Sequence, residues 1–170
     1  MGPSRQPSAG DEAAGSAEPP PAAVTIREMS AAECEALLAR HRVGRLAYAF
    51  QNHLDIEPLH YVYHDGWVYG RTSHGLKLHT LLHSRWVAFE VDEVRDTYDW
   101  ESVVVRGAFY VLASDGSDAE RAAWRRAVKL LRTIAPETLT PSDPMPHRTV
   151  LFRIHVDEMS GRAAARTTPA

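Results

Sequence analysis

The fold and the best functional clue both turn on one stretch, Trp67-Val68-Tyr69-Gly70-Arg71-Thr72-Ser73-His74-Gly75-Leu76-Lys77-Leu78, which runs on to Trp86-Val87-Ala88-Phe89-Glu90-Val91. Trp67, Val68 and Tyr69 are strand formers placed directly after an Asp65-Gly66 turn signal. The chain then reaches Arg71, Thr72, Ser73, His74, Gly75 and Lys77 where a helix should begin. A helix start offers unpaired backbone N–H groups and the positive end of a dipole. Hydroxyls, an Arg and a Lys gathered there make a seat for a phosphate.

Working outward, the pattern predicts short helices set among strands. Ser30 with Glu33 forms a capping box that opens a helix with Ala31, Cys34, Leu37, Leu38 and His41 on one face. Strands follow at Gly44–Phe50, Ile56–His64, Gly66–Arg71, Trp86–Val94, Ser102–Leu112 and Val150–Val156, with Gln51–Asp55 as a turn. Pro58 cannot donate to a ladder, so it belongs at an edge or a bulge. Gly107 marks a bulge or a close approach to a ligand. Leu76–Ser84 reads as a short helix with Leu78, Leu81 and Leu82 inward. A second capped helix begins at Ser117 or Asp118, carries Ala122, Val128, Leu131 and Ala135 on its apolar face, and ends before Pro136. The expected class is mainly β: a six-stranded antiparallel barrel with peripheral helices, closed so that no long edge is left open.

Composition sets the frame. The chain of 170 residues suits one domain with a real core. A formal charge of −3 does not suggest a nucleic-acid partner, for which a basic face is expected. No apolar run approaches the roughly 20 residues of a membrane span, and the N-terminus does not read as a secretory signal. The lone Cys34 fits a reducing compartment, so a cytoplasmic location is expected. Residues 1–23, rich in Pro, Ala, Ser and Gly, read as a disordered tail; 24–160 as the folded domain; 161–170 as a flexible C-terminal tail.

Three passages in this order resemble the FMN-binding split β-barrel of the pyridoxamine 5'-phosphate oxidase-like superfamily, and within it the nitroimidazole-resistance-type branch. They are Val43-Gly44-Arg45-Leu46-Ala47; Pro58-Leu59-His60-Tyr61-Val62-Tyr63 followed by Trp67 through Lys77; and Trp100-Glu101-Ser102-Val103-Val104-Val105-Arg106-Gly107. The resemblance implies a homodimer with FMN at the subunit interface. It implies that Arg71, Thr72, Ser73 and Lys77 hold the phosphate, that Pro58, Leu59 and His60 line the ring, and that Trp100 and Ser102 stand near it. It further implies redox chemistry on a small-molecule substrate, with a nicotinamide as possible electron donor. Relatives of this barrel also accept deazaflavin or haem, and a flavin carrier without turnover or a purely structural dimer stays open. The C-terminal Gly161-Arg162-Ala163 lacks the Arg-rich closing motif of authentic pyridoxamine phosphate oxidases, which argues against their substrate.

Other groups read more plainly. His74, His79 and His83 lack companion Cys or carboxylate ligands, so no metal site is expected, although a haem needs only one axial His, such as His60. The acidic residues Glu90, Asp92, Glu93, Asp96 and Asp99 lack the spacing of a calcium loop. The four tryptophans read as core or interface, and only Trp100 gains a ligand role from its motif. No side chain is singled out as a catalytic acid or base, since the cofactor carries the chemistry.

Overall fold

The computed structural model describes residues 23–167. In chain order the elements are β1 (Val24–Glu28), α1 (Ala31–Arg40), β2 (Val43–Phe50), β3 (His53–His64), β4 (Trp67–Thr72), α2 (Leu76–His83), β5 (Trp86–Asp96), β6 (Asp99–Val111), α3 (Asp118–Leu131), β7 (Val150–His155) and β8 (Glu158–Arg166). The strands pair antiparallel in the order β1-β8-β6-β5-β2-β3-β4-β7, and a further β6–β7 pairing closes the ring. The closed ring is therefore β2 to β7, the six strands anticipated from the sequence. Two more, β1 and β8, extend the sheet from β6, so the described residues form eight strands rather than six.

The segment from Gly161, expected to be a flexible tail, is strand as far as Arg166. Its backbone is paired on both flanks, with β6 and with β1, which explains why small residues are no obstacle there. Gly161 is itself required: a Cβ would lie 2.6 Å from Cys34 Sγ. Of the tail expected at residues 1–23, all but Ala23 falls outside the described residues, as do residues 168–170.

The barrel is split because two of its strands change partners. β3 pairs with β2 through His53–His60 and with β4 only through Tyr61–His64. β6 pairs with β8 from Trp100 to Arg106 and with β7 from Phe109 to Val111. Pro58 thus sits where one flank of β3 is open, as a residue without an N–H requires. Gly107 stands at the crossover on β6, where a Cβ would fall 1.7 Å from the His155 carbonyl oxygen; the close approach is to backbone. Both tight hairpins use two residues of positive φ, Gln51-Asn52 and Asp65-Gly66. The first of these starts β3 at His53, earlier than the predicted Ile56.

Two apolar clusters fill the molecule. Inside the barrel Leu46, Tyr61, Phe89, Val103, Val105, Phe109, Phe152 and Ile154 pack together, with the rings of Tyr61 and Phe89 edge-on at 4.9 Å. The Tyr61 hydroxyl donates to the Leu38 carbonyl at 2.8 Å and so ties α1 to the ring. Cys34 lies in this core beside Leu37 and Leu38, and burial pushes its thiol pKa up, as for a packing residue. The second cluster, under α3, joins Val62, Tyr69, Leu112, Ala127, Val128, Leu131 and Leu151. Each such side chain contributes about 2 kcal/mol through removal from water. Three face assignments differ from expectation: Ala31 of α1 is exposed, Leu82 of α2 is 50% exposed, and Ala122 of α3 is exposed while Ala127 is buried.

Candidate functional site

The strand-to-helix passage after β4 is built as the sequence suggested, but its side chains take separate paths. Arg71 turns toward α3 and is buried, with both terminal nitrogens on the Asp143 carboxylate. Thr72, the next residue, is buried on the opposite side of the strand. Ser73 is half-buried and His74 exposed, and Gly75 opens α2.

That opening differs from the other two. Ser30 with Glu33 and Ser117 with Glu120 form complete capping boxes on α1 and α3. At α2 no side chain accepts from the first-turn amides. The amides are left to whatever acceptor the surroundings supply, and Lys77 adds a positive charge in the same turn.

Lys77 faces a cleft of 480 Å3 beneath the β2–β3 hairpin, lined also by Tyr48, Gln51, His53, Asp55, Glu57 and Thr80. Its Nζ lies 2.6 Å from Glu57 Oε2, and the Tyr48 hydroxyl donates to Glu57 Oε1 at 2.8 Å. Burial works to raise the Glu57 carboxyl, but the hydrogen bonds from Lys77 and Tyr48 outweigh it and hold its pKa below the usual value. Burial, with Glu57 beside it, pushes the Tyr48 phenol up. The arrangement is a charged, hydrogen-bonded triad on the wall of an open cleft, next to an uncapped helix start.

The other predicted residues fall elsewhere. Pro58, Leu59 and His60 line a second cleft of 170 Å3 with Val43, Met145 and Arg148. Within this run Leu59 points into the barrel core, while Pro58 and His60 are on the outer face. His60 also borders a 170 Å3 cavity that reaches Arg71 and Thr138. Trp100 and Ser102 lie on β6, separated from β3 by β5 and β2. Ser102 donates to Glu90 at 3.1 Å. Cross-strand partners share a face, and the registers Arg45↔Pro58, Arg45↔Glu90, Asp92↔Ser102 and Val94↔Trp100 put Pro58, Ser102 and Trp100 on one outer surface. Within one protomer the predicted set is thus scattered: Lys77 lines its cleft, Arg71 is held by Asp143, Leu59 lies in the barrel core, and Pro58, Ser102 and Trp100 share this surface.

Glu57, Tyr48 and Asp143 were not anticipated. The signal for Glu57 was present in β3, where Leu54 and Ile56 are 83% and 63% exposed while the alternate Asp55 and Glu57 face the Lys77 cleft. Among the described residues no group of three or more His, Cys, Asp or Glu is arranged to hold a metal ion. The rings of His79 and His83 lie 4.3 Å apart, and His83 Nδ1 sits 2.8 Å from the His79 carbonyl oxygen.

A six-stranded ring split between β3 and β6, with an open helix start at its cleft, defines the split-barrel class. The pyridoxamine 5'-phosphate oxidase family profile matches residues 30–163, and the chain belongs to that family. It is similar to a FAD-binding protein from Mesorhizobium loti, with 30% identity, a TM-score of 0.68, and coverage of 82% of this chain and 99% of that one. It is also similar to a FAD-binding protein from Mycobacterium smegmatis, at 29% identity and a TM-score of 0.59, covering 84% and 100%. A proposed 5-nitroimidazole antibiotic resistance protein from Bacteroides thetaiotaomicron shares the fold, with a TM-score of 0.62 at 16% identity over 85% and 93% of the two chains.

Proposed function

We propose that this chain binds a flavin, FMN in the first instance, and acts as an oxidoreductase on a small molecule. The observation that carries the reading is the uncapped start of α2, preceded by Ser73, whose first turn carries Lys77 on the wall of the 480 Å3 cleft. Its donors suit a phosphate: free amides, a hydroxyl and an ammonium. Arg71 is committed to Asp143, so in this reading the phosphate rests on the α2 amides, Thr72, Ser73 and Lys77, with Arg71 supporting the strand behind them. Bound flavin supplies two-electron transfer at its ring, and the protein supplies seat, orientation and access.

The outer sheet surface supports a homodimer. Val43, Leu54, Ile56 and Val94 leave it with exposed apolar side chains, and pairing of two such faces would bury them. Pro58, His60, Trp100 and Ser102 would then stand at the interface, where a ring from either protomer could meet them. The reduced nicotinamide donor and the cytoplasmic setting belong to the same proposal. The two similar FAD-binding proteins favour a second reading, in which the flavin is FAD with its adenylate extending out of the cleft.

The test is the visible spectrum of the purified protein before and after loading with FMN or FAD and removing the excess. Retained flavin absorbance supports the reading, and chromatography of the released cofactor separates FMN from FAD. The double variant Lys77→Ala/Ser73→Ala should weaken retention at unchanged melting temperature; unchanged affinity would overturn the phosphate seat. A Soret band would replace flavin with haem.

A further inference from the structure

Arg153 stands at the centre of a sheet surface that α3 covers only in part. Its strand lies between β4 and β6, and the register sets it beside Tyr69 on one side and Tyr110 on the other. Its guanidinium carbon lies 3.9 Å from the centroid of the Trp67 ring. The Trp67 ring in turn meets Tyr110 edge-on at 6.0 Å. Among the described residues Arg153 has no ion-pair partner, and its Nε is buried without a hydrogen-bond acceptor. The contrast with Arg71 is informative, because that arginine is also inward and is matched nitrogen for oxygen by Asp143. Stacking on Trp67 offsets part of the cost of desolvating Arg153, but it leaves a buried donor unfilled, and such a donor calls for an explanation.

Arg153 lines a cleft of 200 Å3 with Tyr110, Leu112, Ala119, Glu120 and Ala123. With Val111 and Ala113, which also line it, the apolar walls are an aromatic ring, a valine, a leucine and three alanines. A second guanidinium, that of Arg85, lies 5.9 Å from the Tyr110 centroid at its edge. One carboxylate is present, but it is occupied: Glu120 accepts from the Ser117 backbone N–H at 2.7 Å and the Ser117 hydroxyl at 2.8 Å to cap α3. Those bonds hold its pKa below the usual carboxylate value, so it stays charged beside the cleft. Its charge disfavours a doubly charged guest such as phosphate, and the apolar walls favour a flat hydrocarbon body.

We propose that this cleft is a second ligand site, for a small aromatic carboxylate whose charge is received by Arg153 and whose ring lies against Tyr110 and the alanines of α3. It shares no lining residue with the Lys77 cleft, so it stands or falls apart from the flavin reading.

The experiment is calorimetric titration of the full-length protein, as purified, with benzoate, benzamide and inorganic phosphate. Benzoate should bind, and benzamide and phosphate should bind at least about tenfold more weakly. Arg153→Met should weaken benzoate by about tenfold or more, and Arg153→Lys should restore part of the loss. Ala119→Leu fills the cleft from exposed helix surface without touching Arg153 and should give a similar loss, so the proposal survives or fails even if Arg153→Met does not fold. No heat with benzoate, equal binding of benzamide, tighter binding of phosphate, or indifference to Ala119→Leu would each overturn it. So would a benzoate response abolished by Lys77→Ala, which would move the guest to the other cleft.

Discussion

The Asp143 carboxylate accepts from both terminal nitrogens of Arg71, with Nη2 3.0 Å from Oδ1, and also from the backbone N–H groups of Leu139 and Met145 at 2.8 and 2.9 Å. A residue in the Pro-rich connection between α3 and β7 is thereby fastened to the strand that leads into the Lys77 cleft. Removing the acid would leave a buried guanidinium without a partner. Asp143→Ala should cost about 3 to 5 kcal/mol in urea unfolding. A cost below about 1 kcal/mol would mean that the pair adds nothing beyond packing.

The same pair gives a pH dependence of known sign. Arg71 and the two amides, working against burial, hold the Asp143 carboxyl well below the usual carboxylate range. Its stabilising contribution is complete above its unfolded pKa of about 4 and is lost as the pH falls from there toward the folded value. Unfolding free energy of the wild type should therefore drop below about pH 4 by more than that of Asp143→Asn. Parallel curves for the two proteins would contradict this.

Gly75→Asp tests the open helix start directly. No atom lies within 4 Å of a Cβ built at Gly75. The new carboxylate should cap α2, raise stability by about 0.5 kcal/mol, and repel a bound phosphate, so that flavin affinity falls about tenfold. Equal or tighter flavin binding would place the phosphate elsewhere.

Glu57 competes with any anion for Lys77. Glu57→Gln keeps an acceptor for Tyr48 and removes the charge. Flavin binding should tighten by about twofold to fivefold, the modest effect expected of a partly exposed pair. Weaker binding would instead assign Glu57 to holding Lys77 in position.

Gly107→Ala should destabilise by about 3 kcal/mol, since the obstacle is the His155 carbonyl and cannot rotate away. Differential scanning calorimetry reads the effect, and an unchanged melting temperature would show that β6 and β7 separate easily.

The ring strands were legible because each carries a clear apolar run bounded by a turn, as Trp86–Val91 and Val103–Val105 do. β1 and β8 were hidden for opposite reasons. Val24–Glu28 is exposed along its whole length and shows no buried face. Glu158–Arg166 is made mostly of small and charged residues whose strand conformation comes from its two neighbours. Gln51-Asn52 lacks the glycine that marked Asp65-Gly66, so the first hairpin appeared as a longer turn. At the site, the open α2 start and Lys77 could be read from their order along the chain. The partners Glu57 and Asp143 could not, because they arrive from 20 and 72 residues away and only the barrel's closure delivers them.

The pairing of β1 with β8 bears on how the chain reaches this state. Thr25 and Thr167 meet hydroxyl to hydroxyl at 3.0 Å although 142 residues separate them. Closing so long a loop is entropically slow, whereas the β2–β3 and β5–β6 hairpins are local. On the ribosome the ring strands up to β6 emerge while β1 still lacks its neighbour. β1 is made well before its neighbour and finds its place late, and until then the flank of β6 stands open as an edge on which a second nascent chain could pair.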